Sequence, residues 1–212
     1  MRYFPIYLDL RNQPVLVVGG GRVAEGKIEQ LLEAGARIRL VSPALTARLR
    51  ELAGDGRLDY RCAEFSEADL AGQLVVVCAT NDQAVNESVA RAAQARRMLC
   101  NVVDQPALCN FITPALVTRG DLQISISTGG GSPSLAQRVK REVGELIGDE
   151  YGELLELAAE LRIAAHRAIP DFEGRRRLLQ AFVESEALEL LRAGKRAAAR
   201  QIGLTLLEQA SP

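Results

Sequence analysis

Residues 15–27 read VLVVGGGRVAEGK: an apolar run ends in three glycines, and Val23, Ala24, Ile28, Leu31 and Leu32 then recur at helical spacing as far as Gly35. The pattern is strand, turn, helix. Gly19, Gly21 and Ala24 fit G-x-G-x-x-[GA] in the context that this dinucleotide-binding pattern requires. Gly19 permits a tight turn, Gly21 lets a pyrophosphate approach the backbone, and Ala24 is small enough for close helix-to-strand packing. A helix start there offers free N–H groups and about half a positive charge to an anion. Gly19, Gly21, Arg22 and Val23 are therefore candidate cofactor-binding residues.

Working outward, RIRLVS reads as a second strand, LDYRCAEF as a third, LVVVCATND as a fourth and MLCNVVD as a fifth. The fourth is apolar enough to lie inside a parallel sheet covered on both faces. QAVNESVARAAQA follows it as a helix, with Asn81 or Asp82 available as N-cap. Strands alternating with helices argue for an α/β, doubly wound, Rossmann-like domain over residues 1–114. At the end of the second strand stand Ser42 and Pro43, where a carboxylate often takes the ribose hydroxyls. Ser42 offers only a neutral hydrogen bond, and Arg37 and Arg39 lie on the same strand, so NAD against NADP stays open on the residues alone. Ser42, Pro43, Ala79 and Thr80 join the cofactor-binding candidates.

Asp104 falls just past the fifth strand, at the rim where open α/β sheets bind ligands. It is the candidate proton-transfer group, against the bland reading of an Asp that begins the turn before Pro106. Asn101 is a candidate for orienting a substrate.

Beyond Pro114 the pattern changes. ITPALVTRGDLQISIST alternates apolar and polar residues around Arg119-Gly120-Asp121 and predicts a hairpin, not a βαβ unit. STGGGSPSLAQ opens another helix, with Ser132 as N-cap and Pro133 as first residue; Thr128 and Ser132 are candidate substrate contacts at a second anion site, against a plain cap. Residues 115–148 thus read as a hairpin region with a glycine-rich turn and a helix, to which the resemblance given below adds a dimerising role, and 149–212 as a small helical domain. Two or three such helices carry too little apolar area to be stable alone, so they are expected to pack on the hairpin or on a second copy of the chain.

Composition closes off several classes. A formal charge of −1 gives no broad field for nucleic acid or anionic lipid, and the run GRRRLLQ sits in a nearly neutral helical region. Cys62, Cys78, Cys100 and Cys109 contain no C-x-x-C pair and read as reduced core or near-core residues. His166 has no second histidine with which to share a metal, so no permanent metal site and no Ser–His–Asp set is expected. No segment approaches the roughly 20 apolar residues that span a bilayer, and the protein is expected to be cytoplasmic.

PIYLDLRNQPVLVVGGGRVAEGKIEQLLEAGARIRLVSP, VVVCATND, LCNVVDQPALCNFITPALVTRGDLQISISTGGGSPSLAQ and the helical tail together resemble, nearly end to end, the precorrin-2 dehydrogenase/sirohydrochlorin ferrochelatase module of siroheme synthase. The resemblance implies NAD-dependent oxidation of precorrin-2 to sirohydrochlorin, followed in some members by insertion of Fe(II) or Co(II) as a further substrate. It implies NAD although no acid ends the second strand, a homodimer joined through the hairpin and helical regions, and Asp104 as the catalytic aspartate. Larger members carry a methyltransferase domain after the helical part, so a chain ending at Pro212 resembles a stand-alone form. The competing readings are another NAD(P) oxidoreductase with a dimerising tail, and a non-catalytic NAD(H)-sensing regulator.

Overall fold

A computed structural model describes residues 3–210 of the chain, which divides into two compact units, one up to Thr113 and one from Pro114. In the first, five parallel strands lie in the order β3-β2-β1-β4-β5. They are β1 (Pro14–Val18), β2 (Arg37–Val41), β3 (Asp59–Arg61), β4 (Val75–Cys78) and β5 (Leu99–Val102). The chain leaves β1 in one direction to build β2 and β3 and returns to build β4 on its other side. Such a reversal opens a crevice at the C-terminal ends of the central strands.

Alternation along the central strands builds two cores. Leu16, Val18, Val76, Cys78, Cys100 and Val102 face α3 (Gln83–Ala95), whose Val89, Ala90 and Ala93 they bury. Val15, Val17, Ile38, Leu40, Val75 and Val77 face α1 (Arg22–Glu33) and α2 (Ala47–Gly54) through Ala24, Ile28, Leu49 and Leu52. Burial of both faces accounts for the uninterrupted apolar runs in β1 and β4. Helix α2 was not expected from the sequence. It buries only Leu49 and Leu52, too few for a visible period, and owes its start to Thr46, whose hydroxyl accepts from the Leu49 N–H at 3.2 Å. Strand β3 is shorter than expected, because beyond Arg61 the chain turns toward Ser66, which caps a short 3-10 helix over Glu67–Leu70.

In the second unit β6 (Ala115–Arg119) and β7 (Leu122–Ile126) pair antiparallel with Arg119 opposite Leu122, leaving Gly120 and Asp121 as the turn. Helix α4 (Pro133–Leu146) packs on β6. Arg119 fastens the two, donating from Nε to the Ile147 carbonyl (2.9 Å) and from Nη2 to that of Gly144 (2.8 Å), carbonyls that a helix end leaves unpaired.

The expectation that the tail helices pack on the hairpin is met by α4, which lies on β6, and by the next helix, whose Gly152 sits against the Arg119 carbonyl. Helices α5 (Glu150–Ala168), α6 (Phe172–Val183), α7 (Ala187–Arg192) and α8 (Arg196–Ala210) bury a core of their own around Phe182. The reason is the length of α5, which presents Leu154, Leu157, Leu161 and Ala165 along one face for the later helices to cover. By contrast α4 buries only Ala136, and Leu116, Leu135 and Leu146 remain exposed. No helix among the described residues is long and apolar enough to cross a membrane.

Candidate active site

At the C-terminal ends of β1, β2, β4 and β5 lies a cleft of about 630 Å³, within the range that holds a small-molecule ligand. It is lined by Gly19, Gly21, Arg22, Val23, Ser42, Pro43, Ala79, Thr80 and Asp104 among others, so nine of the twelve residues singled out in the sequence meet there.

The three glycines do different work. Gly19 takes φ 109°, and a Cβ on it would stand 2.4 Å from the Ala79 carbonyl oxygen. Gly20, which the motif leaves unspecified, is the most tightly enclosed: a Cβ there would stand 2.0 Å from the Ala44 carbonyl oxygen. Gly21 has nothing within 4 Å of its Cβ position. It is also the N-cap of α1 and supplies no side-chain cap, so first-turn N–H groups are offered to the open cleft. Helix α3 differs, since Asp82 Oδ1 caps it by accepting from Ala84 N and Val85 N. The fit to a dinucleotide pyrophosphate rests on this uncapped turn and on the space a Cβ would fill.

Ser42 is buried, and its hydroxyl donates to the Ala44 carbonyl at 2.8 Å, so it shapes the loop that encloses Gly20. The cations of β2 and β3 are engaged: Arg37 Nε donates to the Asn12 carbonyl (3.0 Å), Arg39 Nε to Asp59 Oδ2 (2.7 Å), and Arg61 pairs with the buried Asp69. Arg22 is exposed at the glycine turn.

Beneath Ala79 and Thr80 the key residue is Asn86, which sequence reading missed because a polar residue in a helix ordinarily faces solvent. Asn86 is buried; its Oδ1 accepts from Thr80 Oγ1 (2.7 Å) and Cys78 Sγ (3.1 Å), and its Nδ2 donates to the Thr80 carbonyl (3.2 Å). Burial pushes the Cys78 thiol up to about 12, which keeps it protonated and able to donate. Asn86→Ala removes the acceptor from both and is expected to cost about 2 kcal/mol, read as a lowered melting temperature.

Asp104 follows β5 with φ 59°, in the left-handed region that Asp tolerates better than most residues. The backbone before it is fixed by Val103 N donating to the Cys78 carbonyl at 2.9 Å. The loop after it is tied back under β5 by Asn110, which accepts from Cys100 N (2.8 Å) and donates to the Met98 carbonyl (2.7 Å), and by Asn101, whose Nδ2 donates to the Phe111 carbonyl (3.1 Å). The Asn101 amide therefore holds this loop; it is buried and is not among the residues that line the cleft. Cys62 departs from expectation: it is exposed after edge strand β3, whereas Cys78 and Cys100 are buried as expected.

Thr128 and Ser132 belong to the second unit. Thr128 Oγ1 donates to the Ser132 carbonyl (3.1 Å) and accepts from Ser132 N (3.2 Å), while Ser132 Oγ accepts from Leu135 N (3.2 Å). Both hydroxyls shape the glycine-rich turn that starts α4.

Comparison with known proteins agrees with this arrangement. Residues 6–115 match a family described as NAD(P)-binding, 119–146 the sirohaem biosynthesis protein central region, and 150–209 the sirohaem synthase dimerisation region. The siroheme synthase of Methylococcus capsulatus is 38% identical over 211 residues, covering 100% of this chain and 44% of that protein. The siroheme synthase of Xylella fastidiosa is 40% identical over 200 residues, covering 94% of this chain and 42% of that protein. The chain thus spans less than half the length of these curated relatives. A solved structure, SirC, precorrin-2 dehydrogenase, superposes with a TM-score of 0.80 at 29% identity, covering 98% of this chain and 100% of that one. Two sirohaem synthase regions follow in order, and with the NAD(P)-binding model matched over more than half of its length the chain belongs to that NAD(P)-binding family.

Proposed function

We propose that the chain oxidises precorrin-2 to sirohydrochlorin with NAD, in siroheme or cobalamin synthesis. The observation that carries the reading is Asp104, an exposed carboxylate that lines the same cleft as an uncapped glycine turn. NAD, when bound, accepts the hydride that leaves the macrocycle. The N–H groups after Gly21 and the Arg22 guanidinium hold the pyrophosphate, and Gly19 and Gly20 keep the turn in shape. Asp104 takes the proton that leaves with the hydride, a transfer for which one positioned carboxylate suffices. The same carboxylate would take the two pyrrole protons one after the other, passing the first to solvent before the second leaves, when Fe(II) or Co(II) enters sirohydrochlorin as a substrate.

NAD is favoured over NADP because Arg37, Arg39 and Arg61 already have partners, and a 2′-phosphate near Ser42 would find no uncommitted cation among them. The chain acts as a homodimer in this proposal: exposed Leu116, Leu135 and Leu146 give the hairpin and α4 an apolar surface to cover. The thiols of Cys62, Cys78 and Cys100 suit the reducing cytoplasm.

The test is anaerobic absorbance of enzymically made precorrin-2 mixed with the protein and either dinucleotide. Sirohydrochlorin is expected with NAD and at least about tenfold more slowly with NADP, a difference of roughly 1.4 kcal/mol. Metal added after sirohydrochlorin accumulates, compared with the uncatalysed rate, tests the insertion step. No oxidation with either dinucleotide would refute the reading and leave the sensor alternative.

A further inference from the structure

No carboxylate ends β2, but the loop after β3 brings one to the neighbouring wall of the cleft. Val41 pairs with Arg61, and beyond them the two segments stay joined. Ser42 N and Ala63 N both donate to the Arg61 carbonyl, at 3.3 and 3.0 Å, and Tyr60 Oη donates to the Ser42 carbonyl at 3.0 Å. Ala63, Glu64 and Phe65 line the cleft together with Ser42 and Pro43. Arg61 holds this loop: its Nη2 donates to the Glu64 carbonyl at 2.7 Å, and its guanidinium pairs with the buried Asp69. Asp69 also accepts from Ser66 N at 2.8 Å, so both ends of the segment 61–66 are tied to one buried carboxylate. The Glu64 backbone is thus fixed while its side chain is exposed, and among the described residues that side chain makes no hydrogen bond or ion pair. The other charged residues of the cleft lie elsewhere: Arg22 opens α1, Asp82 caps α3 and Asp104 follows β5. Among the described residues Glu64 is therefore the one charged side chain on the β2–β3 side of the cleft.

We propose that Glu64 determines the choice of dinucleotide: its carboxylate accepts a hydrogen bond from the 2′-hydroxyl of the adenosine ribose and repels the 2′-phosphate that NADP carries there. The role rests on the reading of this cleft as the dinucleotide site, and not on the identity of the second substrate. With the pyrophosphate on the first turn of α1, the adenosine ribose lies toward the end of β2, where an acid ordinarily receives it. Ser42 stands in that position, and its hydroxyl is committed to the Ala44 carbonyl. The acid comes instead from the loop of the adjacent strand. Two anions brought within a few ångströms repel one another even in a wet cleft, and a site that opposes the wrong ligand discriminates more sharply than one that merely fails to hold it. The engaged Arg37, Arg39 and Arg61 deny a 2′-phosphate a partner, and Glu64 adds a penalty.

Fluorescence titration of the whole chain with NADH and with NADPH reads this choice without precorrin-2. Glu64→Ala is expected to weaken NADH about threefold, through the lost hydrogen bond, and to tighten NADPH about threefold, through the lost repulsion. Glu64→Lys should tighten NADPH by about tenfold or more. Changes of opposite sign for two ligands that differ by one phosphate do not arise from general damage to the fold, and a thermal melt of each variant checks that it is intact. Glu67→Gln removes an equal charge from the 3-10 helix that follows, where Glu67 pairs with Arg96 and does not line the cleft. It is expected to leave the ratio of the two affinities within about twofold of wild type, because the charge is exposed and screened. A ratio that both Glu64 variants leave within about twofold of wild type, equal losses for the two dinucleotides, or a shift as large in Glu67→Gln would each overturn the proposal. A wild-type chain that binds neither dinucleotide would remove the cofactor site and the role of Glu64 with it. The expected shifts in a protein that leaves precorrin-2 untouched would instead refute the proposed reaction while the role of Glu64 stood.

Discussion

Gly20→Ala is expected to cost about 3 kcal/mol, or roughly 10 °C in melting temperature, whereas the same change one residue later leaves the fold intact. The added methyl on Gly20 would lie 2.0 Å from the Ala44 carbonyl oxygen, 2.7 Å from Leu45 Cδ2 and 2.8 Å from Ser42 Oγ. Neither side can withdraw easily. Gly19 N donates to the Val41 carbonyl at 2.9 Å, and the Gly20 carbonyl accepts from Thr46 N at 3.0 Å. The colliding Ala44 oxygen is itself held by the Ser42 hydroxyl. At Gly21 a methyl meets nothing within 4 Å, so Gly21→Ala should melt with wild type. It would occupy the space that a pyrophosphate needs, and NAD affinity is expected to fall by about tenfold or more. Thermal melts and calorimetric NAD titration of the two variants separate the roles. A Gly21→Ala protein that binds NAD as tightly as wild type would remove the glycine turn from the cofactor site.

Asp104→Asn is expected to lower turnover by about 10²–10⁴-fold while NAD affinity stays within about twofold of wild type. Asparagine is the informative substitution because it keeps the shape of the side chain and tolerates the left-handed backbone at φ 59°. Alanine would add backbone strain of about 1 kcal/mol to the loss of the carboxylate and confuse the two. The carboxylate lines the cleft at its rim, and the pyrophosphate is assigned to the glycine turn at the start of α1. A large loss of NAD binding in Asp104→Asn would therefore place Asp104 in the cofactor site rather than at the reacting atoms.

What the sequence revealed and what it concealed follow from the range of the forces involved. Strands β1 and β4 are legible because burial on both faces demands continuous apolar runs, and the starts of α1 and α4 because glycine, serine and proline act locally. The hairpin is legible because its alternation and its turn lie within a dozen residues. Gly20 is not, since its demand comes from Ala44 and Leu45 across the β2 loop. Asn86 looks like any polar helix residue until the turn after β4 folds over it. Lys27 acquires its partner from Thr113, 86 positions away. The core of the tail was underestimated for the same reason: Phe182 and Leu161 are close only after α6 folds back on α5.

Wild-type protein and Asp104→Asn, each mixed anaerobically with precorrin-2 and saturating NAD, can be followed for NADH and sirohydrochlorin in one single-turnover experiment. The expected result is one NADH for each sirohydrochlorin in wild type and a rate lower by about 10²-fold or more in the variant. Equal rates in the two proteins would contradict the role of Asp104 as the base, and oxidation by neither would contradict the dehydrogenase itself.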